Sequence, residues 1–85
     1  MYDCYFTFRS ITTAQRGQNA LERSGLRSRL LRSPSFLSRN GCGYVLKVRG
    51  GSEMAAAAAL GGYGVPFGAA YRVGTGGAAE EVRFP

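Results

Sequence analysis

An α+β domain built in the order strand, helix, strand, strand, helix, strand is what the sequence predicts, and two observations carry it. Four short segments alternate apolar and polar residues with the period of a half-buried strand. Between them lie two segments that open at a serine able to cap a helix and stop at glycine. That order is the split β-α-β pattern of a ferredoxin-like sandwich: a four-stranded antiparallel sheet with both helices on one face.

Each element has its own signature. Tyr2 to Phe8 sets Cys4, Phe6 and Phe8 on one face against Tyr5 and Thr7 on the other, as the first strand. Ser10 or Thr12 can cap a helix that runs to about Arg23, with Ile11, Ala14, Gly17 or Gln18, and Leu21 along a stripe too thin for anything but close packing, and Gly25 ends it. Leu26 to Leu31 reads as a second strand with Leu26 and Leu30 inward, ended by Pro34, and Ser33 to Gly41 as a loop. Tyr44, Leu46 and Val48 alternate with Val45, Lys47 and Arg49 as a third strand, broken by Gly50-Gly51. Ser52 opens the second helix, with Glu53 in its first turn and the alanine run through Leu60 behind it. Phe67, Ala69, Tyr71 and Val73 alternate as a fourth strand. The exposed face of the sheet is expected to hold Tyr5, Thr7, Val45 and Lys47.

Eighty-five residues make one small domain without room for a deep substrate cavity. We assign residues 1–73 to that domain and 74–85 to a flexible Gly/Ala/Glu tail. Two cysteines are too few for a disulfide framework, no N-terminal segment reads as a signal peptide, and no apolar run spans a bilayer. The expected setting is the reducing cytoplasm. Net charge is +6, and Arg23, Arg27, Arg29, Arg32 and Arg39 follow one another without an acid between them, so that region carries a field attracting anions.

Chemistry concentrates at Gly41-Cys42-Gly43. Glycine on both sides leaves the backbone around the Cys42 sulfur unhindered. With no histidine in the chain, neither a Cys-His pair nor an imidazole metal site can be built, and the residues call for no metal and no cofactor. Right-handed crossovers bring the start of the third strand to the sheet end where the first strand closes and the first helix begins. Cys42 is therefore expected near Ser10 to Thr13, with Arg32 and Arg39 as further cations, in surroundings that lower a thiol pKa. Cys4 has core parity, so it is expected to be inert filler.

The aromatic first strand ending Phe8-Arg9-Ser10, the helix with Ala14 and Leu21 closing at Gly25, then Leu30-Leu31, Pro34, Leu37-Ser38 and Gly41-Cys42-Gly43-Tyr44 resemble a family of small bacterial selenium/sulfur carrier-like proteins. Arg-Ser-Pro-Ser-Phe departs from the usual loop and retains only Pro34. The resemblance implies that Cys42 carries a persulfide or perselenide between proteins. The donor would be a cysteine desulfurase or selenocysteine lyase, with Arg32 and Arg39 docking the partner. On this reading the chain is a carrier rather than an enzyme with its own turnover. The rival is an RRM-like RNA-binding module, since Gly41, Gly43, Tyr44 and Val45 match its third-strand motif. Stacking would need aromatics at Cys42 and Lys47, and the motif would turn Tyr44 outward against the apolar alternation, so nucleic acid is disfavoured. A non-catalytic interaction domain is the third reading, and the sequence leaves sulfur against selenium, the partners and the oligomeric state open.

Overall fold

A computed structural model gives the structure of the chain and describes residues 2–33, 43–74 and 76–84. The elements are β1 (Tyr2–Phe8), α1 (Ile11–Arg23), β2 (Ser28–Arg32), β3 (Tyr44–Arg49), α2 (Glu53–Gly62), β4 (Ala70–Gly74) and β5 (Ala79–Val82). They form one antiparallel sheet in the order β2-β3-β1-β4-β5. The third strand lies between the first and the second, as the crossover argument requires.

The register assigns the two faces. Cys4 pairs Val48, Phe6 pairs Leu46 and Phe8 pairs Tyr44, so these side chains share the face covered by both helices. Ala14, Ala20 and Leu21 of α1 and Ala56, Ala59 and Leu60 of α2 close the core over them. Gly17 is the point of closest approach. A Cβ there would lie 3.0 Å from Leu46, 3.1 Å from Phe8 and 3.2 Å from Leu60. The missing side chain is thus what lets a helix with a thin apolar stripe settle onto large neighbours.

Both helices stop in the same way. Gly25 (φ 78°) follows α1 and Gly64 (φ 68°) follows α2, each in the left-handed region that glycine adopts without strain. Leu26 N donates to Leu21 O at 2.8 Å and Val65 N donates to Leu60 O at 2.9 Å, the long bond of a Schellman motif. The starts differ. Ser10 Oγ accepts from Thr13 N at 3.2 Å, whereas Ser52 makes no side-chain capping bond. There the Glu53 carboxylate accepts from Gly51 N, tying the first turn of α2 back to the turn that precedes it.

Four further expectations are corrected. The sheet has five strands, not four, because the last residues double back through Gly77 (φ 82°) and pair with β4. Ala79-Glu80-Glu81-Val82 shows little apolar alternation, yet Val82 and Phe84 pack against the core, Phe84 stacking 6.1 Å from Phe6. The second strand starts at Ser28 rather than Leu26, which serves as the anchor of the α1 terminus. Ile11, in the first position of α1, is 44% exposed and stands outside the stripe that faces the sheet.

The parity of the fourth strand is the fourth correction. Phe67 packs edge-on against Phe6, with ring centroids 4.9 Å apart, while Ala70 pairs Phe6 directly on the same face. One residue too many lies between them. Thr7 N donates to Ala69 O and Gly68 N donates to Thr7 O, so Gly68 and Ala69 together oppose Thr7 as a β-bulge. The Ala69 amide left over by the bulge donates to Thr7 Oγ1 at 2.9 Å. Tyr71 and Val73 consequently turn to the helix-free face, and Arg72 turns to the helix side.

Candidate functional site

The hairpin mouth between β2 and β3 is the place to which the sequence points. Gly41, Cys42 and Arg39 lie outside the described residues, while Gly43 and Arg32 lie within them. Ser33 N donates to Gly43 O at 2.9 Å, closing the ladder one step beyond Arg32 and Tyr44. A Cβ at Gly43 would meet nothing within 4 Å among the described residues. The exposed Arg32 guanidinium lies over the Tyr44 ring, 5.7 Å from its centroid. That contact holds a cation at the start of β3.

The same sheet end carries the start of α1. Phe8 pairs Tyr44, and the chain passes from Phe8 through Arg9 to the cap at Ser10. The first amides of α1 present the positive end of the helix dipole. Arg32, Tyr44, Gly43 and the N-terminus of α1 are thus brought to one end of the sheet, as the topology argument expected for the start of the third strand.

Cys4 has the opposite surroundings. It is fully buried between strands β3 and β4, pairing Val48 and Arg72. Burial pushes its thiol up to about 12, and the nearby Glu53 charge adds to the rise while Arg72 opposes it. A thiol so placed is protonated at neutral pH and closed to reagents.

Beside it stands a cluster that sequence reasoning missed. Glu53 is 5% exposed. Its Oε2 accepts from Tyr2 Oη at 3.0 Å and from Arg72 Nε at 3.0 Å, and its Oε1 accepts from Gly51 N. Burial alone would raise its pKa, but the hydrogen bonds from its own backbone, Arg72, Tyr2 and Gly51 outweigh burial and hold the carboxyl below its ordinary value. The guanidinium of Arg72 also lies 5.7 Å from the centre of the Tyr2 ring. The signal available was Glu53 itself, an acid in a first turn. Its partner Arg72 was hidden by the bulge that reverses the fourth strand. Among the described residues no three His, Cys, Asp or Glu side chains come together as a metal site.

The helix-free face differs from expectation in one respect. Tyr5 and Lys47 are half-buried there, but Thr7 and Val45 are buried. Thr7 faces the bulge, and Val45 lies between Thr7 and Leu31 in the register. Tyr44, Leu46 and Val48 face the helices. The tyrosine that an RRM-like third strand would present outward is therefore turned inward, which removes the main feature of the RNA-binding reading.

A small α+β domain with one sealed thiol and an electropositive hairpin mouth is the class of protein that fold and site define. Residues 3–72 match the family described as "Putative Se/S carrier protein-like", and the chain belongs to that family. No curated protein and no solved structure matches the chain.

Proposed function

We propose that this chain carries sulfur or selenium as a persulfide or perselenide on Cys42 and passes it from a donor protein to an acceptor. The observation that carries this reading is the burial of Cys4. In a carrier family, a chain with two cysteines, one of them sealed and protonated, leaves Cys42 for the chemistry. Gly41 and Gly43 on either side keep the sulfur approachable. Arg32, with Arg39 three residues before Cys42 in the sequence, favours the thiolate and offers a cation to the partner.

The step is a sulfane transfer without net oxidation. The Cys42 thiolate attacks the terminal sulfur of a donor cysteine persulfide. A Cys42–sulfur bond forms, the donor sulfur–sulfur bond breaks, and the donor leaves as its thiolate. The acceptor's nucleophile repeats the exchange and restores the Cys42 thiolate. Selenium follows the same path with the terminal atom replaced. A cysteine desulfurase or selenocysteine lyase supplies such a donor, and the reducing cytoplasm keeps the receiving thiol free. The order of β1 to β4 supports a ferredoxin-like core, to which β5 adds an edge. Among the described residues no helix is long and apolar enough to cross a membrane.

Incubating the full chain with a desulfurase and cysteine should add the mass of one sulfur, removable by reductant. Cys42→Ser should abolish the adduct and Cys4→Ser should keep it. No uptake from any desulfurase or lyase, or uptake that survives Cys42→Ser, contradicts the proposal.

A further inference from the structure

Where β2 begins and β3 ends, one corner of the sheet gathers cations from three segments. Arg27 precedes β2, Arg29 lies on it, and Lys47 and Arg49 lie on β3, around an open cleft of about 620 Å³ that Asp3 and Glu22 also border. Arg29 pairs Lys47 in the register, and Arg49 pairs Asp3. Lys47 Nζ meets Asp3 Oδ2 at 3.6 Å. Among the described residues, Arg27, Arg29 and Arg49 have no carboxylate within 4.0 Å. Like charges drawn together repel, so the fold itself gains nothing from collecting them.

Among the described residues, the cleft borders an unpaired strand edge. β2 is the first strand of the sheet. Because Ser33 N bonds to Gly43 O, the antiparallel alternation turns the backbone groups of Ser28, Leu30 and Arg32 away from β3. The Ser28 carbonyl accordingly accepts from Gln18 Nε2 at 3.4 Å, on the side away from β3. Those of Leu30 have no partner among the described residues. A free edge beside a basic cleft is suited to an extended chain that bonds through its backbone and carries negative side chains.

We propose that this corner docks an extended acidic segment of a partner protein, added along the β2 edge with its carboxylates over Arg27, Arg29, Lys47 and Arg49. Single-stranded nucleic acid fits less well. Among the described residues no aromatic ring lines the cleft to stack a base, and Asp3 and Glu22 stand where a phosphate chain would pass. A polypeptide can answer both signs. The corner is at the opposite end of β3 from Gly43, about 17–20 Å away along the strand. Docking here does not depend on what Cys42 does.

A fluorescein-labelled peptide of alternating glutamate and valine, titrated into the full chain and followed by anisotropy, tests the proposal. Saturable binding that weakens with added salt is expected. Arg27→Glu with Arg29→Glu should weaken it by about tenfold or more, while Arg16→Glu with Arg83→Glu, the same change of charge away from the cleft, should change it little. Cys42→Ser should leave it intact. In the unaltered chain, amide shifts on peptide addition should concentrate at Arg27 to Leu30 and Lys47 to Arg49. Absence of saturable binding, equal loss in both double variants, shifts centred elsewhere, or tighter binding of a single-stranded RNA of equal charge would overturn it.

Discussion

The surroundings of Cys4 and the hairpin mouth at Ser33 and Gly43 treat polar groups in opposite ways. Around Cys4 the fold spends its charges on itself: Glu53 receives Tyr2, Arg72 and the Gly51 amide, and the thiol is shut beneath them. At the hairpin mouth Arg32 is exposed over Tyr44, the α1 N-terminus faces the same end, and among the described residues nothing crowds the backbone at Gly43. On the proposed reading, that difference separates a structural thiol from the one that carries the chemistry. A cysteine in a strand with core parity is consumed by packing, as Cys4 is.

The largest expected effect breaks the first half of that comparison. Glu53→Ala removes the acceptor of three hydrogen bonds and leaves Tyr2 Oη and the Gly51 amide unanswered, and it should lower stability by about 3 kcal/mol in denaturant unfolding. Glu53→Gln keeps the shape and loses the charge. Because the carboxyl of Glu53 is held below its ordinary value of 4.5, its contribution is present above that pH and is lost as pH falls through the folded value. The unaltered chain and Glu53→Gln should therefore differ at neutral pH and converge in acid. A constant difference across the range would show that the charge is not what stabilises the cluster.

A smaller effect is expected at the other end of β1. Thr7→Val keeps the volume and removes the hydroxyl that accepts the Ala69 amide, and should cost about 1–2 kcal/mol. Thr7→Ser should recover most of that cost. Loss of stability equal for both variants would assign the effect to packing rather than to the bulge.

What the sequence disclosed, and what it hid, follow from the range of the interactions. Ser10, Gly25 and the alternation of Tyr44, Leu46 and Val48 act within a few residues, and each is where local patterning puts it. The placement of β3 between β1 and β2 follows from handedness. The bulge at Gly68 and Ala69 depends on Thr7, some sixty residues away, and nothing near Ala69 announces it. That one shift also concealed Arg72 as the partner of Glu53. β5 was missed because its apolar partners are distant in sequence: Phe84 meets Phe6 and Phe67, and Val82 pairs Ala70. At the candidate site, Gly43 and Arg32 lie at the sheet end where α1 begins, while Gly41, Cys42 and Arg39 lie outside the described residues. The docking corner was legible only as a run of arginines, since Arg49 and Lys47 join it through strand pairing.

The most direct measurement is the alkylation rate of each cysteine in the folded chain, resolved by peptide and followed against pH. With Cys4 fully buried and its thiol pushed up to about 12, modification of Cys4 should track unfolding alone. Cys42 should react faster, with an apparent pKa below the ordinary cysteine value. Equal rates, or a faster Cys4, would contradict the division between the two thiols on which the carrier reading stands.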